Sequence, residues 1–182
     1  MDDLEPGTAV LERKTLEAFE PAHVGAAISK LFAASIGDLA VVLSRSPVHK
    51  YFSLADIEWM ILPPVTVGQF YVVEAAHKER GFRAPIAVAT WAFVSEEVDR
   101  RLQEQAGKHI RLRPDEWTSG KIGWLVDLVG GPAEVRSILR WLASGHFKDR
   151  PLKLVVRDES GGPRVITLDR IASQGSDGEI TG

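Results

Sequence analysis

Residues 116–131 read Glu-Trp-Thr-Ser-Gly-Lys-Ile-Gly-Trp-Leu-Val-Asp-Leu-Val-Gly-Gly, a polar turn carrying Trp117 that runs into an apolar segment with the character of a buried strand. Gly130-Gly131-Pro132 then turns this strand into a helix, with proline at the first helical position. Val135, Ile138, Leu139 and Leu142 fall on one face of that helix, and Gly145 ends it. A second strand follows from Leu152 to Arg157, so residues 123 to 157 form a strand–helix–strand crossover, expected to be right-handed.

Asp127 lies near the middle of the apolar strand. An ionised carboxylate buried without a partner costs several kcal/mol, on the order of a desolvated ion. Asp127 therefore reads in two ways: as an acid on a wet face or strand end, or as a buried group with a reason to be there.

Working outward, Gln69–Ala75 and Pro85–Val94 are rich in β-branched and aromatic residues and read as strands. Residues His77 to Arg83 join them as a hairpin with a basic tip. Ser95 followed by Glu96 and Glu97 starts an exposed helix to about Ala106, and Lys108-His109-Ile110-Arg111-Leu112-Arg113 is a basic connector. Farther upstream, Val24, Ile28, Leu31, Phe32, Leu39 and Val42 follow helical spacing, with Gly37 as a point of division and Pro47 as the stop. Ser53 caps a short helix through Ile61, which Pro63-Pro64 ends. Strands at Leu152–Arg157 and Arg164–Leu168 flank a turn at residues 158–162. Hairpins with helices inserted between them give an α/β (α+β) class, a mixed and mostly antiparallel central sheet flanked by helices. The expected domain spans residues 21–170, after a flexible extension at 1–20 and before a disordered tail at 171–182.

With 182 residues, 45% hydrophobic and 26% charged, the chain suits one globular domain. A net charge of −3 gives no footprint for nucleic acid. Cysteine is absent, which removes disulfides, thiolate metal sites and a cysteine nucleophile, and fits a cytoplasmic setting. The acidic amino terminus is unlike a signal peptide, and no apolar run is expected to approach the ~20 residues of a membrane span. No phosphate-binding glycine loop, H-E-x-x-H or G-x-S-x-G element occurs, and no metal site is expected from the spacing of the five histidines. Ser44 to Phe52 presents His49 in a loop beside Arg45 and Lys50; on local grounds it reads as a solvated histidine or as a chemical group.

Ser46-Pro47-Val48-His49 and Glu116-Trp117-Thr118-Ser119-Gly120 together resemble the toxin-activating lysine acyltransferases, the hemolysin-activating family that fatty-acylates lysines of RTX protoxins. The likeness continues through Gly37, Leu62-Pro63, Gln69-Phe70 (Gln-Tyr in the family), Thr90-Trp91-Ala92 (Ser-Trp-Ala) and Gly123-Trp124-Leu125-Val126-Asp127 (Lys-Trp-Phe-Ile-Asp). It covers residues 36 to about 168. Some 25 residues precede the family's usual start, and the carboxy-terminal region matches poorly.

The resemblance implies a fold like that of the GCN5-related N-acyltransferases and a catalytic pair at His49 and Asp127. It implies a donor that is the 4'-phosphopantetheine thioester of acyl carrier protein rather than coenzyme A, with no permanently bound cofactor. The Gln/Arg-x-x-Gly-x-Gly/Ala loop that grips the coenzyme A pyrophosphate is indeed missing from the sequence. His49 would take a proton from a lysine ε-amine, whose ordinary pKa near ~10.4 leaves it mostly protonated, and Asp127 would fix the imidazole tautomer. Transfer through an acyl-enzyme at Ser46 or His49 stays open. Ser46, Trp117 and Ser119 are expected around the substrate, with Arg45 and Lys50 docking the acidic carrier and Lys78, Arg80 and Arg83 as second choices. The implied partners are acyl carrier protein, an RTX-type protoxin and a second copy of the chain, with no nucleic acid and no integral membrane segment. The competing classes are a non-catalytic carrier- or partner-binding homologue and a small-molecule N-acyltransferase using acyl-CoA.

Overall fold

The computed structural model describes residues 21–76 and 81–168, with side chains from Gly25 onward. The expected extension at 1–20, the hairpin tip at 77–80 with Lys78 and Arg80, and the expected tail at 171–182 lie outside the described residues. The chain divides into two compact units, Met1–Ala34 and Ser35–Gly182. Among the described residues the first unit holds the opening turns of helix α1 (Pro21–Arg45), whose Ile28 side chain is exposed.

Helix α1 runs on into the second unit without the division expected at Gly37. A single glycine costs a helix only about 1 kcal/mol. Leu39, Val42 and Leu43, spaced to one face and all buried, offset that. The stretch Gly25–Arg45, 21 residues, is long and apolar enough to cross a membrane by length and composition, contrary to the sequence expectation. Lys30, Asp38 and Arg45 interrupt it without cancelling its average apolarity.

The next expectation is also corrected. Pro63-Pro64 does not end a helix but opens one: a 3₁₀ turn (Leu54–Asp56) leads into α2 (Ile57–Met60) and then α3 (Leu62–Val67), with the prolines in its first turn. There the missing N–H would have had no helical partner in any case. Gly68, at φ +68°, closes α3 in the left-handed conformation.

The sheet contains β1 (Phe70–Ala76), β2 (Arg83–Val94), β3 (Ile122–Val129), β4 (Leu152–Arg157) and β5 (Pro163–Thr167), in that spatial order. All neighbours are antiparallel except β3 and β4. Between β2 and β3 lie helix α4 (Glu96–Glu104) and a 3₁₀ turn (Pro114–Thr118); between β3 and β4 lies α5 (Pro132–Trp141), continued by a wide turn over Leu142–His146. Ser95 caps α4 by accepting a hydrogen bond from the Val98 amide at 3.3 Å.

The parallel pairing of β3 with β4 is short, Gly123 with Leu152 and Trp124 with Lys153, after which the ladder stops. Asp99 of α4 anchors this end by accepting from the Trp124 indole at 2.7 Å and from the Lys153 ammonium at 2.7 Å. Beyond it the two strands are no longer joined.

The core lies on both faces of the sheet. Ala87, Ala89, Trp91 and Leu125 pack against Ile138, Leu142 and Phe147 on the α5 side. Val88 meets Leu39, Val42 and Ile61 on the other side, where Ala92, Val94 and Trp124 meet Val98, Leu112 and Trp117.

Candidate active site

His49 is placed by the way α1 stops. The Ser46 amide donates to the Leu43 carbonyl at 2.9 Å, Pro47 carries no N–H, and the chain continues as a tight turn in which the His49 and Lys50 amides donate to the Ser46 carbonyl at 3.2 and 3.0 Å. One turn apart, Ser46 and His49 face each other. The Ser46 Oγ and His49 Nδ1 lie 2.9 Å apart.

Asp127 reaches this turn through an irregularity in β3. Opposite β2, Thr90 pairs with Asp127 but Trp91 pairs with Leu125, so Val126 is an extra residue in the strand. In a regular strand, residues three apart point to opposite faces. The bulge shifts the phase, so that Trp124 packs with Trp117 while Asp127 also turns to the α1 side. The Asp127 amide, displaced from the ladder, donates to the Thr90 hydroxyl at 3.2 Å. Asp127 Oδ1 then lies 2.8 Å from His49 Nε2. Asp127, His49 and Ser46 are 6%, 7% and 7% exposed, so the pair is withdrawn from water and the first of the two readings of Asp127, the wet acid, is set aside.

A carboxylate accepts and cannot donate, so His49 Nε2 carries the proton in this contact. In neutral His49 the remaining lone pair is on Nδ1, where it faces the Ser46 hydroxyl. Both ring nitrogens are thus engaged.

A fourth side chain completes the group. His109, on the connector after α4, sets its ring edge-on to His49 with centroids 5.3 Å apart, and touches Phe52 and Trp59 at 5.1 and 5.7 Å. Trp59 is held by its indole N–H donating to Asp56 at 2.8 Å and by the Arg111 guanidinium 4.7 Å over its ring. His109 remains accessible to solvent, yet the packed side of its ring is desolvated. That burial pushes its pKa below the ordinary value; the Asp127 charge opposes the shift and His49 adds to it. Ligand atoms of His49, His109 and Asp127 all lie within 4.8 Å of one another. No spacing in the sequence marks this set, because its members come from a helix exit, a connector and a strand.

Among the described residues, two clefts reach His109 and a third opens beside Ser46. One of about 420 Å³ lies where β3 and β4 part, lined by Leu125, Val126, Leu128, Val135, Leu139, Leu154, Val155 and Val156, with Lys108, His109 and Ile110 at its other end. A second, of about 330 Å³, runs from Lys108 and His109 past Val48 to Arg157 and Pro163. The third, of about 340 Å³, opens beside Arg45, Ser46 and Pro47 and is floored by Leu128, Val129 and Gly130.

The other expected residues fall as follows. Arg45 is exposed, lines the third cleft and donates to the Pro85 carbonyl at 3.2 Å. Lys50 is exposed, its ammonium 4.9 Å over the Tyr51 ring. Arg83 pairs with Glu74 at 3.0 Å. Trp117 is 1% exposed in the core, and Ser119 accepts from the Ser95 amide and donates to the Glu116 carbonyl, both at 3.0 Å. Neither lines any of the three clefts.

The profile of the RTX toxin acyltransferase family matches residues 29–169, in keeping with the resemblance carried by the two motifs. The chain is 29% identical over 112 residues to the lysine-acyltransferase RtxC of Vibrio cholerae, covering 62% of this chain and 68% of that protein. It is 28% identical over 94 residues to the RTX-I toxin-activating lysine-acyltransferase ApxIC of Actinobacillus pleuropneumoniae, and 28% over 94 residues to the leukotoxin-activating lysine-acyltransferase LtxC of Aggregatibacter actinomycetemcomitans. Those two matches cover 52% of this chain and 49% and 51% of the relatives.

Proposed function

Because the chain belongs to the RTX toxin acyltransferase family, we propose that it moves a fatty acyl chain from the thioester of an acyl carrier protein to the ε-amine of a lysine in an RTX-type toxin precursor. The observation that carries this reading is the buried run Ser46 Oγ, His49 Nδ1, His49 Nε2, Asp127 Oδ1, with its 2.9 and 2.8 Å contacts, beside an apolar cleft in the sheet. The cleft suits the acyl chain, nine of its eleven lining residues being aliphatic.

Attack by the neutral amine on the thioester carbonyl forms the C–N bond and breaks the C–S bond. The nitrogen must lose one proton as the amide forms. His49 Nδ1 accepts it through the Ser46 hydroxyl, which gives its own proton to the ring as it takes one from the amine. Asp127 stabilises the imidazolium that results, and the departing thiolate recovers the proton. Arg45 and Lys50, both exposed beside the third cleft or the His49 turn, are the cations that meet the acidic carrier. A homodimer in the cytoplasm is the setting this reading implies.

The Ser46–His49 contact also favours a second route, in which Ser46 Oγ takes the acyl group as an ester before the lysine receives it. Incubation with labelled acyl carrier protein and no acceptor separates the two, since only the second route leaves label on the protein. For either route His49→Ala should slow transfer to a lysine-bearing acceptor by ~10²–10⁴ with the fold intact. Transfer at the wild-type rate by that variant would remove the acyltransferase assignment of this site, and transfer from acyl-CoA but not from the carrier would replace the donor.

A further inference from the structure

The mechanism above uses His49 and Asp127 and leaves His109 without a task, although its ring lies edge-on to His49 and its nearest ring nitrogen is within 4.8 Å of the ligand atoms of both. We infer that His49, His109 and Asp127 form a binding site for a zinc-class divalent cation, and that filling it switches the enzyme off. The switching half rests on the reading of His49 as the base; the binding half does not.

Two imidazoles and one carboxylate are a borderline-soft set, suited to Zn²⁺ and its neighbours rather than to Mg²⁺ or Ca²⁺, which need more oxygen ligands. The three ligand atoms lie within 4.8 Å of one another. Tetrahedral zinc, with bonds of about 2.0–2.2 Å, brings ligand atoms to about 3.3 Å apart. His49 Nε2 and Asp127 Oδ1, at 2.8 Å, need only part slightly to admit the ion. The larger adjustment falls to His109, whose ring is open to solvent on one side and would turn against Phe52 and Trp59 on the other.

Proton bookkeeping favours the site. Zinc needs the Nε2 lone pair, so the proton now on Nε2 must move to Nδ1. There the Ser46 oxygen, at 2.9 Å, accepts it. A ligand imidazole whose other N–H is held by a neighbouring oxygen is the usual supporting arrangement at protein zinc sites. No net proton is released from His49, and Asp127 binds as the carboxylate it already is. The metal-bound His49 has no lone pair left, so it cannot take a proton from a lysine.

The test is calorimetry of the full chain with zinc chloride alone, followed by the acyl transfer assay with and without chelator. One ion per chain is expected, with binding weakened at least tenfold in His109→Ala and in Asp127→Asn, and no comparable heat with magnesium. Imidazole NMR of the wild-type protein should show His49 and His109 shifted by zinc and His146 unmoved, a readout that needs no variant to fold. Transfer should fall in proportion to occupancy and return with EDTA. Absence of binding, or binding unchanged in His109→Ala, overturns the site. Binding at these residues without loss of transfer overturns the switch. A protein that binds zinc here yet transfers no acyl group under any condition would count against the proposed function and leave the site standing.

Discussion

Thr90 Oγ1 accepts the Asp127 amide at 3.2 Å, at the one place where the register between β2 and β3 slips. The hydroxyl does for this amide what the ladder does for its neighbours, and so keeps the bulge that aims Asp127 at His49. Thr90 is 1% exposed, so no water can take over. Thr90→Val should strand a buried N–H, a loss of about 1–3 kcal/mol seen as a lower urea midpoint. Mis-aiming of Asp127 should reduce kcat by up to about 10²-fold. Thr90→Ser, which keeps the hydroxyl, should restore most of both; equal defects in Val and Ser would show that the hydroxyl is not what matters.

Leu139 projects from α5 into the cleft where β3 and β4 part. Leu139→Trp fills part of its 420 Å³ and should shift donor preference toward shorter acyl chains, leaving the short-chain rate near wild type. Competition between long- and short-chain carriers measures this. An unchanged preference would move the acyl chain to one of the other clefts.

Acid should loosen the fold partly through Glu116. Burial pushes its carboxyl up, but the two Arg101 hydrogen bonds at 2.9 and 2.7 Å, the Arg113 amide at 2.8 Å and the two guanidinium charges more than reverse this, leaving it below the ordinary carboxylate value. A depressed carboxylate stabilises fully above its unfolded pKa, near ~4.3. That contribution fades as pH falls through the lower folded value. Glu116→Gln should therefore lower the thermal midpoint at pH 7 and flatten its fall below about pH 4.3. Parallel melting curves for the two proteins across that window would exclude the effect.

Gly120 is where the turn after Trp117 touches β2. Its amide donates to the Phe93 carbonyl at 3.0 Å, and a Cβ built there would collide with the Val94 carbonyl, a backbone group that cannot swing aside. Gly120→Ala should cost at least about 1–3 kcal/mol as overpacking against a fixed neighbour. Its thermal midpoint should fall more than that of an alanine at Gly145, where nothing lies within 4 Å.

Local chemistry made the strands, the α4 cap and the crossover legible, because β-branched runs, capping serines and a proline at a helix start act through neighbours in sequence. His49 and Asp127 were legible only through resemblance. Their contact spans 78 residues, and the W-x-x-D spacing would place Trp124 and Asp127 on opposite faces but for a bulge that composition does not announce. Trp117 and Ser119 are expected near the substrate only through the resemblance; in the structure Trp117 packs in the core and Ser119 links Ser95 and Glu116. His109 reads in the sequence as part of a basic connector. Nothing adjacent to it in the chain marks it, and only the packing of Phe52 and Trp59 brings it to the pair. Gly37 and Pro63-Pro64 misled for one reason: each is a breaker by propensity, and burial on the flanking turns or position within the helix decides what it breaks.

The early end of the β3–β4 ladder bears on the order of events in a catalytic cycle. The cleft it leaves is lined by Val135 and Leu139 from the α5 side and by Lys108 and His109 from the side that carries His49. Under the proposed transfer, a cleft bordered in this way would let donor and acceptor approach from different sides. On that reading the acyl donor could stay seated while the lysine substrate arrives, and the kinetics of direct transfer would then be those of a ternary complex, with neither partner obliged to leave before the other binds.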